Sequence, residues 1–120
     1  MNKSELNEGE VYAGAIINPD GTGHHIILLP GDNDDINREA AMEWAKSIGG
    51  DLPDRVEQAM FYKNMPDQFQ QDWYWSNTQH ASDSDFAWIQ YFYSGGQSYY
   101  RKSWEGRARA VRRVAIEEQS

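Results

Sequence analysis

The first apolar runs of the chain predict a β-hairpin. Residues 11–17 and 24–29 are rich in β-branched and other apolar side chains, and Asn-Pro-Asp-Gly-Thr-Gly at residues 18–23 lies between them. Proline fixes φ and glycine permits positive φ, so this segment predicts the turn. Residues 1–9 are strongly polar, which predicts a flexible N-terminus followed by one domain over residues 10–116.

Helical spacing replaces the strand pattern after residue 35. Apolar side chains recur every three or four residues from Ile36 to Ile48, and Gly49-Gly50 predicts the end of this helix. The preceding Asp-Asn-Asp-Asp sequence, residues 32–35, offers acceptors for the free N–H groups of a first turn, so it predicts a helix cap without a metal. A second helix is predicted to begin at Asp54 and to close before Pro66.

The alternating pattern of strands returns at Trp73. Strands are predicted at residues 73–78, 86–93, 97–102 and 107–115, with a tight hairpin turn at residues 94–96. A hairpin, two helices and then an antiparallel sheet indicate an α+β fold.

Aromatic residues are concentrated in this second half. Of 16 in the chain, 14 lie between Phe61 and Trp104, which indicates either an unusual aromatic core or a recognition surface. Trp75 and Trp88 are predicted to lie in the core. The strand at 86–93 carries aromatics on both faces, so it is either central and buried or its tyrosine face binds a ligand. The residues expected to gather on one face of a hairpin and bind that ligand are Tyr91, Tyr93, Gln97, Tyr99, Tyr100 and Arg101.

Charge is unevenly distributed along the chain. The net charge is −8, but residues 1–85 carry 16 acidic and 5 basic side chains, and residues 86–120 carry 3 and 6. Either the basic end neutralises the acidic body within one fold, or an acidic face docks a basic partner. Direct nucleic-acid binding is not expected, because it needs a basic face. The arginines of the final strand predict an ion-pair network or, alternatively, an anion site for a sulfated or sialylated sugar: Arg107, Arg109, Arg112 and Arg113.

No catalytic, cofactor or zinc signature accompanies these features. The three histidines lack metal-ligand spacing, and the chain has no cysteine. Asp83 and Asp85 leave calcium binding open, although a solvated turn is the simpler interpretation. No apolar run approaches the roughly 20 residues of a membrane span, and the first residues lack a signal-peptide pattern, so the chain is expected to be made in the cytoplasm or to leave the cell inside another structure. We therefore expect a protein that is not an enzyme and holds no cofactor or metal.

Several short motifs together resemble a known family. Tyr-Trp-Ser-Asn-Thr at 74–78, Ala-Trp-Ile-Gln-Tyr-Phe at 87–92, Gly-Gln at 96–97 and Arg-Ala-Arg-Ala-Val-Arg at 107–112 resemble the C-terminal domain family of the Legionella collagen-like adhesin. The upstream Gly-Gly-Asp-Leu-Pro-Asp-Arg at 49–55 resembles another step of the pattern, so the resemblance covers about residues 38–114.

The resemblance implies a C-type-lectin-like fold, similar to that of formylglycine-generating enzymes, in a stand-alone member of phage or prophage type. Together with the lack of a signal-peptide pattern, it implies the host cytoplasm or a phage particle as the location. Asn77 and Asp54 depart from the family's usual serine and threonine, and no Glu-Pro-Asn motif or cysteine is present. Calcium-dependent sugar binding is therefore not implied.

Two functional hypotheses follow. The first is a non-enzymatic recognition module of phage or prophage type, which binds a protein or a glycan through the aromatic-rich face and contacts no membrane. The alternative is a small acidic phage protein that binds and inhibits a basic host protein, such as a defence or nucleic-acid-binding factor. The same face would also suit a homo-oligomer.

Overall fold

The chain folds into two β-sheets and two α-helices in a computed structural model that describes residues 5–116. This arrangement confirms the α+β class. Residues 1–4 of the predicted flexible segment lie outside the described residues. Residues 7–10 form a turn that contacts the last strand, because Arg112 donates to both carboxylate oxygens of Glu10 at 2.9 Å.

The predicted N-terminal hairpin is confirmed. Strands β1 (Val11–Ile17) and β2 (Gly23–Leu28) pair in antiparallel fashion across the turn. Strand β8 (Val111–Ala115) pairs with the other side of β2, which gives a three-stranded sheet in the order β1-β2-β8. The beginning and the end of the described chain therefore meet in one sheet.

The first helix begins later than predicted. Helix α1 spans Arg38–Ser47, and the Asn37 side chain caps it by accepting from the Ala40 N–H at 2.9 Å. The prediction that residues 32–35 cap this helix is wrong, because Asn33–Ile36 instead form strand β3. The Asp32 carboxylate accepts from the Arg107 side chain at 3.0 Å and from the Tyr74 hydroxyl.

The second helix begins where the sequence predicts. Helix α2 spans Arg55–Asn64, and Asp54 and Glu57 cap it reciprocally, each carboxylate accepting the other residue's backbone N–H at 2.8 Å. A short 3₁₀ turn, Pro66–Gln68, follows it. Within residues 5–116, neither helix is long and apolar enough to cross a membrane.

The second sheet has five strands in the order β3-β7-β4-β5-β6. Its remaining members are β4 (Trp73–Gln79), β5 (Phe86–Tyr91), β6 (Gln97–Arg101) and β7 (Gly106–Ala108). The predicted strand at 107–115 is therefore two strands in different sheets. The break lies at Arg109, whose buried guanidinium donates to the Gln68 and Leu29 carbonyls at 2.6 and 2.8 Å. Because β7 runs parallel to β4, the expectation of a purely antiparallel sheet is wrong.

The five-stranded sheet separates two hydrophobic clusters. Trp75 is fully buried beside the small α1 residues Ala41 and Ala45, and its indole N–H donates to the Ile36 carbonyl at 2.9 Å, which confirms its core position. Tyr74 points to the opposite side and packs with α2 and the hairpin. The prediction that Trp88 lies in the core is wrong, since it is half-buried and belongs to neither cluster.

Candidate recognition site

The β5–β6 hairpin carries the predicted ligand-binding residues on both of its faces. Its register places Trp88 opposite Tyr99 and Ala87 opposite Tyr100. Side chains alternate between the faces of a strand, so Gln97, Tyr99 and Arg101 share one face. Tyr91 and Tyr100 lie on the other face, and Tyr93 contacts Tyr91 with a ring-centroid distance of 5.2 Å. The expectation that all these residues gather on one face is wrong.

Five rings form a continuous series that we call the aromatic ladder, and three of them, Trp73, Tyr91 and Tyr100, pack against the hydrophobic cluster beside α1. Tyr91 contacts Tyr100 at a centroid distance of 6.0 Å, and Tyr100 contacts Trp104 at 4.9 Å and Trp73 at 4.8 Å. Tyr93 and Trp104, at the two ends, are 57% and 50% exposed. The members of the aromatic ladder are Trp73, Tyr91, Tyr93, Tyr100 and Trp104.

Close packing fixes the inner part of the aromatic ladder. A Cβ atom on Gly106 would lie 2.3 Å from the Trp73 ring, so only glycine permits this approach. The Tyr91 and Tyr100 hydroxyl groups are hydrogen-bonded to each other. Burial and this hydrogen bond raise the pKa of Tyr100 to about 12. The exposed rings thus rest on a rigid base, which lowers the entropy cost of binding.

On the α2 side, an arginine covers the other aromatic surface. The guanidinium carbon of Arg55 lies 3.5 Å from the centroid of a Trp88 ring, in cation–π geometry. Gln97 holds it there, because the Gln97 amide accepts from Arg55 Nε at 3.0 Å and donates to the Arg55 carbonyl at 2.8 Å. Gln90 accepts from Gln97 at 2.9 Å and supports the arrangement from below. Trp88 is therefore covered by a charged group and lies outside both hydrophobic clusters.

Tyr99 continues this surface towards the end of the hairpin. Its ring centroid lies 5.3 Å from that of Trp88 and 4.3 Å from that of His80, and Tyr99 is 46% exposed. Arg101 lies over Phe86 at 5.1 Å, one step further along. We call this set the Arg55 face, with the members Arg55, His80, Phe86, Trp88, Gln97, Tyr99 and Arg101.

Two shallow depressions adjoin these surfaces. The one beside Arg55 has a volume of about 550 Å³ and is also lined by Asp54, Val56, Thr78 and Gln97. The other, of about 520 Å³, lies between the end of α2 and Tyr93, with Tyr62 and Phe92 in its wall. Neither contains an arrangement of nucleophile and base among the hydrogen bonds of the described residues.

The arginines near the C-terminus are engaged within the protein. Arg107 pairs with three aspartates, at 3.0 Å from Asp32, 3.4 Å from Asp34 and 3.2 Å from Asp72. Arg112 pairs with Glu10 at 2.9 Å. These contacts confirm the predicted ion-pair network for Arg107 and Arg112. Arg109 differs from the prediction, because it donates to two backbone carbonyls and pairs with no carboxylate among the described residues.

Arg113 completes that network at a deeper position. It forms two hydrogen bonds of 2.7 Å with the fully buried Glu57 carboxylate and one of 2.8 Å with Asp51. These partners raise the pKa of Arg113, although burial opposes the shift. The His24 ring adds a contact of 2.9 Å to Glu57. The network therefore joins β2, α2 and β8, and the Arg113 guanidinium is engaged within the protein.

The acidic loop before β5 is organised by its own hydrogen bonds. The Asp83 side chain accepts from the Asp85 N–H at 3.0 Å, and the Asp83 carbonyl accepts from the Phe86 N–H at 3.2 Å. Among residues 5–116 no group of three or more His, Asp or Glu side chains is arranged to hold a metal ion. The absence of a metal remains a prediction.

The predicted ligand-binding residues leave out six members of these surfaces: Arg55, Trp73, His80, Phe86, Trp88 and Trp104. Arg55 is remote from Trp88 in sequence, and only the packing of α2 brings it over the ring. Trp104 follows β6 in a turn, where the Trp104 N–H donates to the Arg101 carbonyl at 3.0 Å and brings the indole back against Tyr100. The density of aromatics at residues 99–104 was the available signal for Trp104; Arg55 had none.

No protein-family model and no curated protein sequence matches this chain. The family resemblance therefore rests on the motif residues alone.

Proposed function

We propose that this chain is a non-enzymatic recognition module of phage or prophage type, which binds a protein or a glycan through the aromatic-rich surfaces of the β5–β6 hairpin. The observation that carries the proposal is the exposure of large rings on a rigid base: Tyr93, Tyr99 and Trp104 are each about half exposed while their neighbours are packed. Tyrosine and tryptophan favour binding because they combine large contact area with few rotatable bonds.

A C-type-lectin-like fold is part of the same proposal. Its support is the order of elements, in which a hairpin, the short strand β3 and two helices precede the other four strands of the five-stranded sheet, together with the motif residues. Tyr74 and Trp75 are buried in β4, the central strand of that sheet. Arg113 on β8 pairs with Asp51, which lies in the connection between α1 and α2. That the chain is of phage or prophage type is likewise a proposal, and it rests on the same motif residues.

The alternative proposal, an acidic phage protein that inhibits a basic host protein, is favoured by a different observation. Most arginines in the described residues are engaged internally, whereas Glu39 and Glu43 on α1 are exposed and form no ion pair with the described residues. A surface of this sign would accelerate encounter with a basic partner.

The two proposals predict different effects of substitution. We expect that Tyr93→Ala combined with Trp104→Ala weakens ligand binding more than tenfold while the fold is retained, because half-exposed rings contribute little to stability but are typical binding hot spots. Binding would be measured with a glycan array and with affinity capture from bacterial lysate followed by titration of the purified ligand. Glu39→Gln combined with Glu43→Gln is the matched control and should leave binding unchanged.

A ligand that depends on Glu39 and Glu43 instead of the aromatic pair would favour the alternative. Circular dichroism and light scattering on both double variants exclude loss of fold or a change of oligomeric state. If the aromatic variant unfolds, these rings are structural and the recognition site lies elsewhere.

A further inference from the structure

Strand β6 forms an edge of the five-stranded sheet. It pairs with β5 on one side, and within residues 5–116 no strand pairs with its other side. An edge strand presents backbone N–H and C=O groups that can pair with a further strand. This edge is flanked by the aromatic ladder on one face of the sheet and by the Arg55 face on the other.

The hydrogen-bond pattern identifies which backbone groups point outward. Tyr91 N–H donates to the Gly96 carbonyl, and Lys102 N–H donates to the Asp85 carbonyl, both at 2.9 Å. Hydrogen-bonded and non-hydrogen-bonded pairs alternate along an antiparallel ladder. Ser98 and Tyr100 therefore bond to β5, while the N–H groups of Gln97, Tyr99 and Arg101 face the open edge.

Charge distinguishes between the partners that could use this edge. Among the described residues, Arg55 and Arg101 have no carboxylate within ion-pair distance, unlike Arg107, Arg112 and Arg113. Both lie on the same face of the hairpin: Arg55 covers Trp88 and bonds to Gln97, and Arg101 lies over Phe86. They bring to this face two guanidiniums that have no carboxylate partner within residues 5–116, on a protein whose net charge is −8.

A second copy of the chain does not complement this surface. Antiparallel pairing of two β6 strands centred on Tyr99 would place Arg101 opposite Gln97 of the other copy. Since Gln97 holds Arg55, two guanidiniums of like charge would approach each other, and like charges across a strand pair are destabilising. An acidic strand would instead neutralise both.

We propose that β6 binds an extended, acidic segment of a partner protein by strand addition. The segment carries carboxylates four residues apart, facing Arg55 and Arg101, and apolar side chains at the intervening alternate positions, facing Tyr100. Main-chain hydrogen bonds supply affinity and the flanking side chains supply specificity. This inference rests on the proposed recognition function and names its partner class.

The test uses a capped peptide with the sequence Gly-Glu-Val-Thr-Val-Glu-Gly, whose central five residues read the same in both directions and so fit either strand orientation. Titration is followed by NMR with the full chain. We expect the Tyr99 and Arg101 amides to exchange quickly with solvent in the free protein and to become protected on binding, whereas Ser98 and Tyr100 are protected throughout. A peptide with lysine in place of both glutamates should bind about tenfold more weakly.

Two sets of variants separate strand addition from simple charge attraction. Only every second backbone N–H of the bound peptide faces β6. Methylation of the peptide nitrogens that face β6 should therefore abolish binding, whereas methylation of the nitrogens that face away should be tolerated. Arg101→Glu should weaken binding of the acidic peptide about tenfold and favour the lysine peptide. Lys46→Glu, a charge reversal at an exposed position of α1, is the matched control and should change neither.

Each contrary result overturns the proposal. These results are equal binding of the acidic and lysine peptides, equal tolerance of both methylation sets, slow exchange of the Tyr99 amide in the free monomer, and no binding at all. Protection of Tyr99 that grows with protein concentration would identify a second copy as the occupant instead. If the peptide fails while a captured ligand still requires Tyr93 and Trp104, strand addition is wrong and the proposed function stands.

Discussion

Replacing Trp75 by alanine is expected to lower the free energy of unfolding by about 3–5 kcal/mol. The side chain is fully buried between the five-stranded sheet and α1. Its removal leaves a large cavity and also leaves the Ile36 carbonyl without the indole donor. Because domains of this size are typically stable by about 5–15 kcal/mol, the loss is a large fraction of the total and should lower the urea midpoint markedly. Urea titration followed by far-ultraviolet circular dichroism measures the change.

Two other tryptophans provide matched controls for the same measurement. Trp104→Ala should change stability by less than about 1 kcal/mol, since half of the side chain is already in water. Trp88→Ala should fall between the two, because Arg55 covers one side of the ring and the other side packs on neighbouring aromatics. Equal losses for Trp75→Ala and Trp104→Ala would contradict the assignment of core and surface.

Replacing Glu57 by glutamine is expected to cost about 3 kcal/mol, near the lower end of the range for breaking a buried ion pair. The substitution keeps the size of the side chain but removes the charge that holds the Arg113 guanidinium. Asp51 still pairs with Arg113 at 2.8 Å, which limits the loss. Thermal and urea unfolding at neutral pH measure this cost.

The same carboxylate predicts how stability responds to acid. Burial alone would raise the pKa of Glu57, but the Arg113 hydrogen bonds and the Asp54 N–H outweigh burial and hold the pKa below its ordinary value of 4.5. A carboxyl whose pKa is lowered in the folded state stabilises the fold above its unfolded pKa, and this contribution is lost as the pH falls through the folded pKa. Below about pH 4.5, wild type should therefore lose stability more steeply than Glu57→Gln.

An exposed carboxylate on α1 provides the control for this network. Glu43→Gln should leave both the stability at neutral pH and its acid dependence unchanged. A double-mutant cycle of Glu57→Gln with Arg113→Met should show strong coupling, because each single change strands the other group. Additive effects would mean that the two side chains do not act as a pair in solution.

Local chemistry explains which elements the sequence could predict. The hairpin, the two helices and the cap at Asp54 depend on residues close in sequence, so turn residues and helical spacing suffice to find them. The sequence predicts the wrong cap for α1 because four consecutive residues before the helix carry acceptor side chains. Local preference does not show that Asp32 pairs instead with Arg107, which is far away in sequence. The single run at 107–115 likewise has one strand pattern, but the buried Arg109 divides it between two sheets.

The candidate site was partly predictable for a related reason. The concentration of aromatics identified the β5–β6 hairpin as the unusual region, and alternation alone assigns Tyr99 and Tyr100 to opposite faces. Alternation does not show which side chains of other elements pack over each face. Trp88 lies outside the core under Arg55, which α2 places over its ring, and Trp73 joins the aromatic ladder because Gly106 permits its close approach.

The most direct test of the central claim is the footprint of the captured ligand by hydrogen–deuterium exchange. The chain would be compared with and without the purified ligand at saturating concentration. A recognition surface on the β5–β6 hairpin predicts that new protection falls within residues 91–104, with little change in β1, β2 and β8. Protection confined to the three-stranded sheet or to the exposed side of α1, with residues 91–104 unchanged, would contradict it.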